Sequence, residues 1–205
     1  VVAEWQRYKP VTERTIYDND LGYGRLPFYS DQRRAWYPYR YDRLIVPIMR
    51  NGAIIGLRGR AVSSDDNGPK WLTASCSQSH LMGLDRIEQG ATVAWCENLV
   101  DRLLAAQSHP SVVYIASGGV SWTSEWLESL AARKPSKVIV WFDNDMAGCP
   151  NLSVQRNATR TDIEPRGFAL ANELLARGIN ASVYRWQPSA PEHADLGWLL
   201  SKGSE

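Results

Sequence analysis

Residues 138–148 read Val138-Ile139-Val140-Trp141-Phe142-Asp143-Asn144-Asp145-Met146-Ala147-Gly148. The first five are β-branched or aromatic, and such a run predicts a strand buried on both faces. Asp143 and Asp145 follow where that strand should end. Side chains alternate along an extended chain, so carboxylates two apart project to one side. Two such charges about 4 Å apart repel by roughly 4 kcal/mol at an intermediate dielectric. A hard divalent cation reverses the sign, because oxygen ligands are what Mg²⁺ or Mn²⁺ takes. By itself a D-x-D also marks a solvated loop or a helix cap, so its meaning rests on its surroundings.

Those surroundings alternate strand and helix. Ala91–Cys96 reads as a strand ending at Glu97, and a helix follows with Leu99, Val100, Leu103 and Leu104 on one stripe. Val112–Ala116 is a second buried strand closed by Ser117-Gly118-Gly119, and Ser124–Ala132 a helix facing inward through Trp126, Leu127 and Leu130. After the central strand come a polar stretch, Cys149–Arg166, and a helix over Gly167–Arg177 with Gly178 as its stop. Ala181–Trp186 reads as a last strand and Leu196–Leu200 as a short helix. This order predicts a parallel sheet with helices on its faces. In such sheets functional groups collect beyond the carboxyl ends of the strands. Glu97, the Ser117-Gly118-Gly119 turn, and Asp143 with Asp145 all stand there, and Asp101 lies one helical turn past Glu97.

The front of the chain reads differently. Residues 1–36 lack a clear period and are expected to be irregular, with a short helix near the start. Trp36–Arg43 interleaves rings with guanidinium groups, which suits bases and phosphates as well as it suits a packed small domain. Leu44–Met49 and Ala53–Leu57 flank Asn51-Gly52, the strongest short hairpin signal. The second strand runs on to Arg58 and Arg60, which share a face and make a cationic patch.

Composition bounds the answer. A chain of 205 residues holds one large domain or two small ones. The net charge of +1 hides a division: residues 1–70 carry twelve Lys/Arg against eight Asp/Glu, whereas residues 71–205 carry eleven against fourteen. A basic front and an acidic back suit a polyanion on one part and a metal on the other. Cys76, Cys96 and Cys149 have no zinc spacing and form no disulfide framework, which points to a reducing cytoplasm. No run is long enough to span a bilayer, and the start at Val1 reads as an excised or processed piece. His80, His109 and His193 lack ligand spacing and are read as surface or capping residues. Lys134 and Lys137 are read as solvated charge, as are Arg156, Arg160 and Arg166 of the polar stretch.

Strand-Glu-x-x-x-Asp, strand-small-Gly turn, strand-Asp-x-Asp-x-Ala-Gly: this order resembles the TOPRIM domain shared by DnaG-type primases, type IA and type II topoisomerases, OLD-type nucleases and recombination proteins of the RecR kind. The likeness extends upstream in the manner of bacterial and phage DnaG-type primases. Arg43–Ile48 resembles the strand that opens their RNA polymerase core, Gly56-Leu57-Arg58-Gly59-Arg60 their G-x-G-G-R, and Pro69–Ser75 their P-K-Y-L-N-S. Met82-Gly83-Leu84, Ala116–Gly119 and Ala194–Leu199 are similar to their Y-G-L, A-S-x-G and K-D-x-x-D segments. Asn98 replaces the family Gly, Trp198 the second late acid, and Cys149–Arg166 interrupts the usual helix, which implies a divergent member from a phage or other mobile element.

The resemblance implies an α/β chain: a small mixed α/β basic subdomain over residues 1–90, then a Rossmann-like TOPRIM sheet flanked by helices over 91–205. It implies catalytic metal ligands Glu97, Asp143 and Asp145, assisted by Asp101 and Asp195, with Mg²⁺ or Mn²⁺. It also implies a basic surface of Arg43, Arg58, Arg60 and Lys70, with Trp71 beside it, for nucleic acid or nucleotide. The implied activity is that of a DNA-directed RNA polymerase laying short RNA primers on single-stranded DNA from ribonucleoside triphosphates. A replicative helicase or further domains are expected partners. A TOPRIM-type nuclease or a non-catalytic binding module of a larger replication protein remains open beside it.

Overall fold

The computed structural model describes residues 1–75, 77–145, 147–150 and 165–202, in two compact units that divide at His80/Leu81. Cys76 and most of the polar stretch, with Arg156, Arg160 and Asn157, lie outside the described residues. Among the described residues no helix is long and apolar enough to cross a membrane.

The first unit begins with helices α1 (Val2–Tyr8) and α2 (Glu13–Asp18), so residues 1–36 are more regular than expected. Thr12 caps α2 by accepting from the Thr15 amide, which supplies one of the bonds that a helix start lacks. Trp5 is fully buried and its indole donates to Gly22 O at 2.9 Å, fixing α1 to the first strand. A four-stranded sheet follows in the order β1 (Gly22–Gly24), β4 (Arg43–Arg50), β5 (Ala53–Arg60) and β6 (Trp71–Thr73), antiparallel throughout. The β4–β5 turn places Asn51 and Gly52 both at positive φ, the geometry that N-G favours between twisted strands. A separate hairpin pairs β2 (Pro27–Ser30) with β3 (Ala35–Pro38). It carries no N-G or D-G signal, so sequence pattern does not reveal it.

The second unit is a four-stranded sheet of β7 (Thr92–Cys96), β8 (Val113–Ala116), β9 (Lys137–Trp141) and β10 (Ala181–Val183), in the order β10-β9-β7-β8 and all parallel. Helices α3 (Leu99–Ser108), α4 (Ser124–Ala132), α5 (Arg166–Ala176) and α6 (Leu196–Lys202) connect and cover it. Val93 pairs with Val138 and Trp95 with Val140, so these four line one sheet face. They join Trp126, Leu127 and Leu130 of α4 and Leu170 and Leu174 of α5 in the core. Leu81, Leu84 and Ile87 belong to the same core, and Met82 bridges Ala116. That is why the boundary falls ten residues earlier than the expected 90/91.

The chain leaves β7 for β8 on one side and returns to β9 on the other. Strand order therefore reverses between β7 and β9, and their carboxyl ends open the crevice where such sheets bind ligands.

Candidate active site

Register alone brings the first acids together. Cys96 pairs with Trp141, so Glu97 and Asp143 each follow within two residues of adjacent strand ends. Past β9 the chain folds back on itself: Asp143 O accepts the amides of Asp145 (2.9 Å) and Cys149 (2.8 Å), and Asp145 Oδ1 accepts the Gly148 amide at 2.7 Å. A Cβ at position 148 would collide with the Asp143 carbonyl, which is the physical reason for glycine in the Ala-Gly pair.

Asn144, fully buried between the two aspartates, carries the next link. Its side chain donates to Ala190 O (3.2 Å) and Pro191 O (2.7 Å), its amide to Ala194 O (2.8 Å), and its carbonyl accepts from His193 N (2.9 Å). Residues 190–194 are thus clamped to the D-x-D loop, with Asp195 beside them. His193, held at a positive φ of 62°, sets Nδ1 3.5 Å from Asp145 Oδ2. Asp195 Oδ1 accepts the Trp198 amide at 2.6 Å, as a cap does at the start of α6. Neither Asn144 nor His193 is legible in the sequence as a site residue; a buried amide between two acids shows its use only through its distant partners.

On the neighbouring strand Asn98 caps α3, accepting the Val100 amide at 2.9 Å, so this departure from the family Gly has a local cause. The glycine turn after β8 ties back to the same place, Gly119 N donating to Glu97 O at 3.1 Å. Asp101, in the first turn of α3, is buried.

The charge these residues share is large. The Asp143 carboxyl is pushed up to about 8, by burial first and then by Glu97, Asp101, Asp195 and Asp145. Four of the five acids predicted from the sequence therefore act on the fifth, Asp143. Burial, then the Asp101 charge, also pushes the Cys96 thiol up, and burial takes Cys149 up to about 12, so neither thiol offers a nucleophile. Among the described residues no three His, Cys, Asp or Glu side chains already converge closely enough to grip an ion. Strand register sets which end of the sheet these acids occupy, and their rotamers set whether an ion is gripped. An all-oxygen donor set around a carboxyl held this far from ionisation fits a hard divalent cation. A cavity of about 640 Å³ beside Trp141, Tyr184, Trp198 and Lys202 contains none of these acids.

The predicted basic residues separate. Arg58 and Arg60 lie on one face of β5 with the Trp71 ring, their guanidinium carbons 5.4 and 5.7 Å from its centroid. Arg60 also stands 5.4 Å over the Tyr8 ring, a neighbour that sequence spacing does not reveal. Burial pulls the Arg58 guanidinium below its ordinary value. Lys70 is exposed. Arg43 is a correction: it is fully buried and cannot belong to a binding surface. It pairs with the equally buried Asp66 at 2.6 Å and donates to Gly59 O (3.1 Å) and Pro69 O (2.9 Å), with the Tyr39 hydroxyl on Asp66 at 3.0 Å. A Cβ at position 59 would press on Leu26 and on the Arg43 side chain, so that glycine makes room for the ion pair.

The family model described as Toprim-like matches residues 95–161, the stretch that holds the ends of β7, β8 and β9 and the acids that follow β7 and β9. Over nearly its whole length the chain has the fold of DnaG-type primase catalytic cores. It is similar to the zinc-binding and RNA polymerase domains of the Aquifex aeolicus primase, with a TM-score of 0.71 and 18% identity over 98% of this chain and 52% of that one. It is also similar to a DnaG primase catalytic domain bound to single-stranded DNA (TM-score 0.69, 20% identity, 98% and 69% covered). A DNA primase domain from Pseudomonas aeruginosa gives 0.69 at 18% identity, with 97% and 66% covered. The chain spans about half the length of the Aquifex structure. No curated protein sequence matches it.

Proposed function

We propose that this chain is a primase-type catalytic core, which makes short RNA primers on single-stranded DNA from ribonucleoside triphosphates. The observation that carries the reading is the delivery of Glu97 and of Asp143 with Asp145 by the neighbouring parallel strands β7 and β9, where burial and the charges of Glu97, Asp101, Asp195 and Asp145 raise the Asp143 carboxyl to about 8. Glu97, Asp143 and Asp145 would hold Mg²⁺ or Mn²⁺, with Asp101 and Asp195 adding negative charge behind them. Bound there, a divalent ion favours ionisation of a 3′-hydroxyl and offsets charge on the transferred phosphoryl group. In its absence Asp143 keeps its proton near neutral pH, which lowers the repulsion among the acids. The Asn144 clamp and the Gly148 turn hold the backbone that carries Asp143, Asp145 and the residues before Asp195, so side-chain rotation is the ordering left to binding. Arg58 and Arg60, braced by Trp71, and the exposed Lys70 bind triphosphate or strand phosphates. A helicase or further domains would deliver the template; the solved cores that this chain resembles are longer than it is.

The test is to incubate the protein with single-stranded DNA, labelled ribonucleotides and Mn²⁺. Short labelled oligomers support the primase. Shortened DNA identifies a nuclease built on the same acids, and neither product identifies a binding module.

A further inference from the structure

The β2–β3 hairpin is built from residues that contribute little to a core. All four positions of β3 are exposed, Trp36 at 54% and Tyr37 at 45%, and Tyr29 on β2 is 39% exposed. The register sets Tyr29 opposite Trp36 and Phe28 opposite Tyr37, so the hairpin carries one ring pair on each face. The Phe28 face continues inward to Tyr39, with centroids 5.8 Å apart. The Tyr29/Trp36 face does not. Its rings meet edge to face at 5.4 Å, an arrangement that leaves ring surface open to solvent.

Cations stand at both ends of the hairpin, with one carboxylate, Asp31, in its turn. Arg33 and Arg34 occupy the turn and Arg40 follows the hairpin, its guanidinium 5.2 Å from the Tyr41 ring. Among the described residues Asp42 pairs with Arg25 at 3.6 Å, and no carboxylate pairs with Arg33, Arg34 or Arg40. Arg34 also takes a positive φ of 49°, where Gly or Asn costs less. Folding alone gains nothing from an arginine there. Exposed rings beside unneutralised guanidinium groups match a ligand with flat apolar faces strung on a polyanion. A duplex hides its base faces; a single strand presents them. Tyr, Trp and Arg are also enriched in protein interfaces, so a second copy of the chain is an outcome that the test below separates.

We propose that the β2–β3 hairpin is a metal-independent docking site for single-stranded nucleic acid, with Tyr29 and Trp36 stacking on bases and Arg33, Arg34 and Arg40 meeting phosphates. It goes beyond the polymerase reading and does not require it. The test uses the whole chain in EDTA, with a fluorescein-labelled oligo-dT read by anisotropy over a range of salt. Tyr29→Thr/Trp36→Thr keeps strand-forming residues, and Arg33→Gln/Arg34→Asn puts a residue suited to positive φ at 34. The ring variant should weaken binding about tenfold or more with its salt slope unchanged. The arginine variant should lower that slope by about 1.4, or about 0.7 for each phosphate that the protein no longer neutralises. Three results overturn the inference. The folded ring variant, checked by circular dichroism, binds within twofold of the parent; duplex competes as well as single strand; or light scattering shows a parent dimer that the ring variant dissolves, which gives the rings to a second copy. Ring-dependent binding without primer synthesis sinks only the polymerase reading, and primer synthesis with ring-independent binding sinks only this one.

Discussion

Replacing Asp143 by Asn should make the metal-free protein more stable at pH 8 while removing its activity. The folded Asp143 carboxyl is raised from 3.8 to about 8, so folding favours the protonated form. Stability from this group is full below the unfolded value, near pH 4, and is lost as pH rises toward 8. At about 1.4 kcal/mol per unit the four-unit shift sets a ceiling of about 6 kcal/mol. Partial exposure and rearrangement of the acids reduce it to about 2–3 kcal/mol. Asparagine keeps the shape and cannot ionise. In EDTA at pH 8 the variant should therefore melt about 4–12 °C above the parent, at about 2–4 °C per kcal/mol for a chain of this size. At pH 4 the two midpoints should coincide. Millimolar Mn²⁺ should raise the parent midpoint at pH 8 and leave the variant unmoved, since an ion that binds only the folded state stabilises it. Calorimetry across the two pH values, with and without Mn²⁺, gives all four numbers. A variant no more stable than the parent at pH 8 in EDTA would refute the claim that the acids crowd Asp143.

Breaking the buried ion pair with Asp66→Ala should destabilise the first unit by about 3–5 kcal/mol, because Arg43 is left charged and buried; Arg43→Met/Asp66→Leu should recover most of that in urea unfolding. Asn144→Ala should cost about 1–3 kcal/mol and speed proteolysis within residues 190–194, with primer synthesis falling in parallel. Gly148→Ala should lower primer synthesis at least about tenfold by pushing Asp143 off its place, an overpacking cost of about 1–3 kcal/mol that a melting curve measures separately. Arg60→Gln should raise the KM for nucleotide or template and leave the melting point within about 2 °C, as expected for a partly exposed cation.

Much of the molecule is legible in its sequence where one residue type has one good use. The Ser124–Ala132 helix, the N-G hairpin and the buried strands appear where local pattern sets them, and Glu97, Asp101, Asp145 and Asp195 all act on the Asp143 carboxyl. Arg43 misleads because an arginine two residues past Tyr41 looks the same in sequence whether it meets solvent or a buried Asp66. Asp66 sits in a polar run that reads as a turn, and only the fold carries it inward. The β2–β3 hairpin escapes notice for the opposite reason: its strands are short, its turn uses arginines, and exposed rings give no alternation to count. Asn144 shows the third kind of limit, since its hydrogen bonds reach 46 and 47 residues along the chain.

That last span has a consequence for biosynthesis. A nascent chain that has left the ribosome only as far as β9 possesses both aspartates of the central loop but neither the carbonyls that Asn144 holds nor Asp195. The clamp on the central loop therefore closes only after the 46 and 47 residues that separate Asn144 from its two acceptors have emerged.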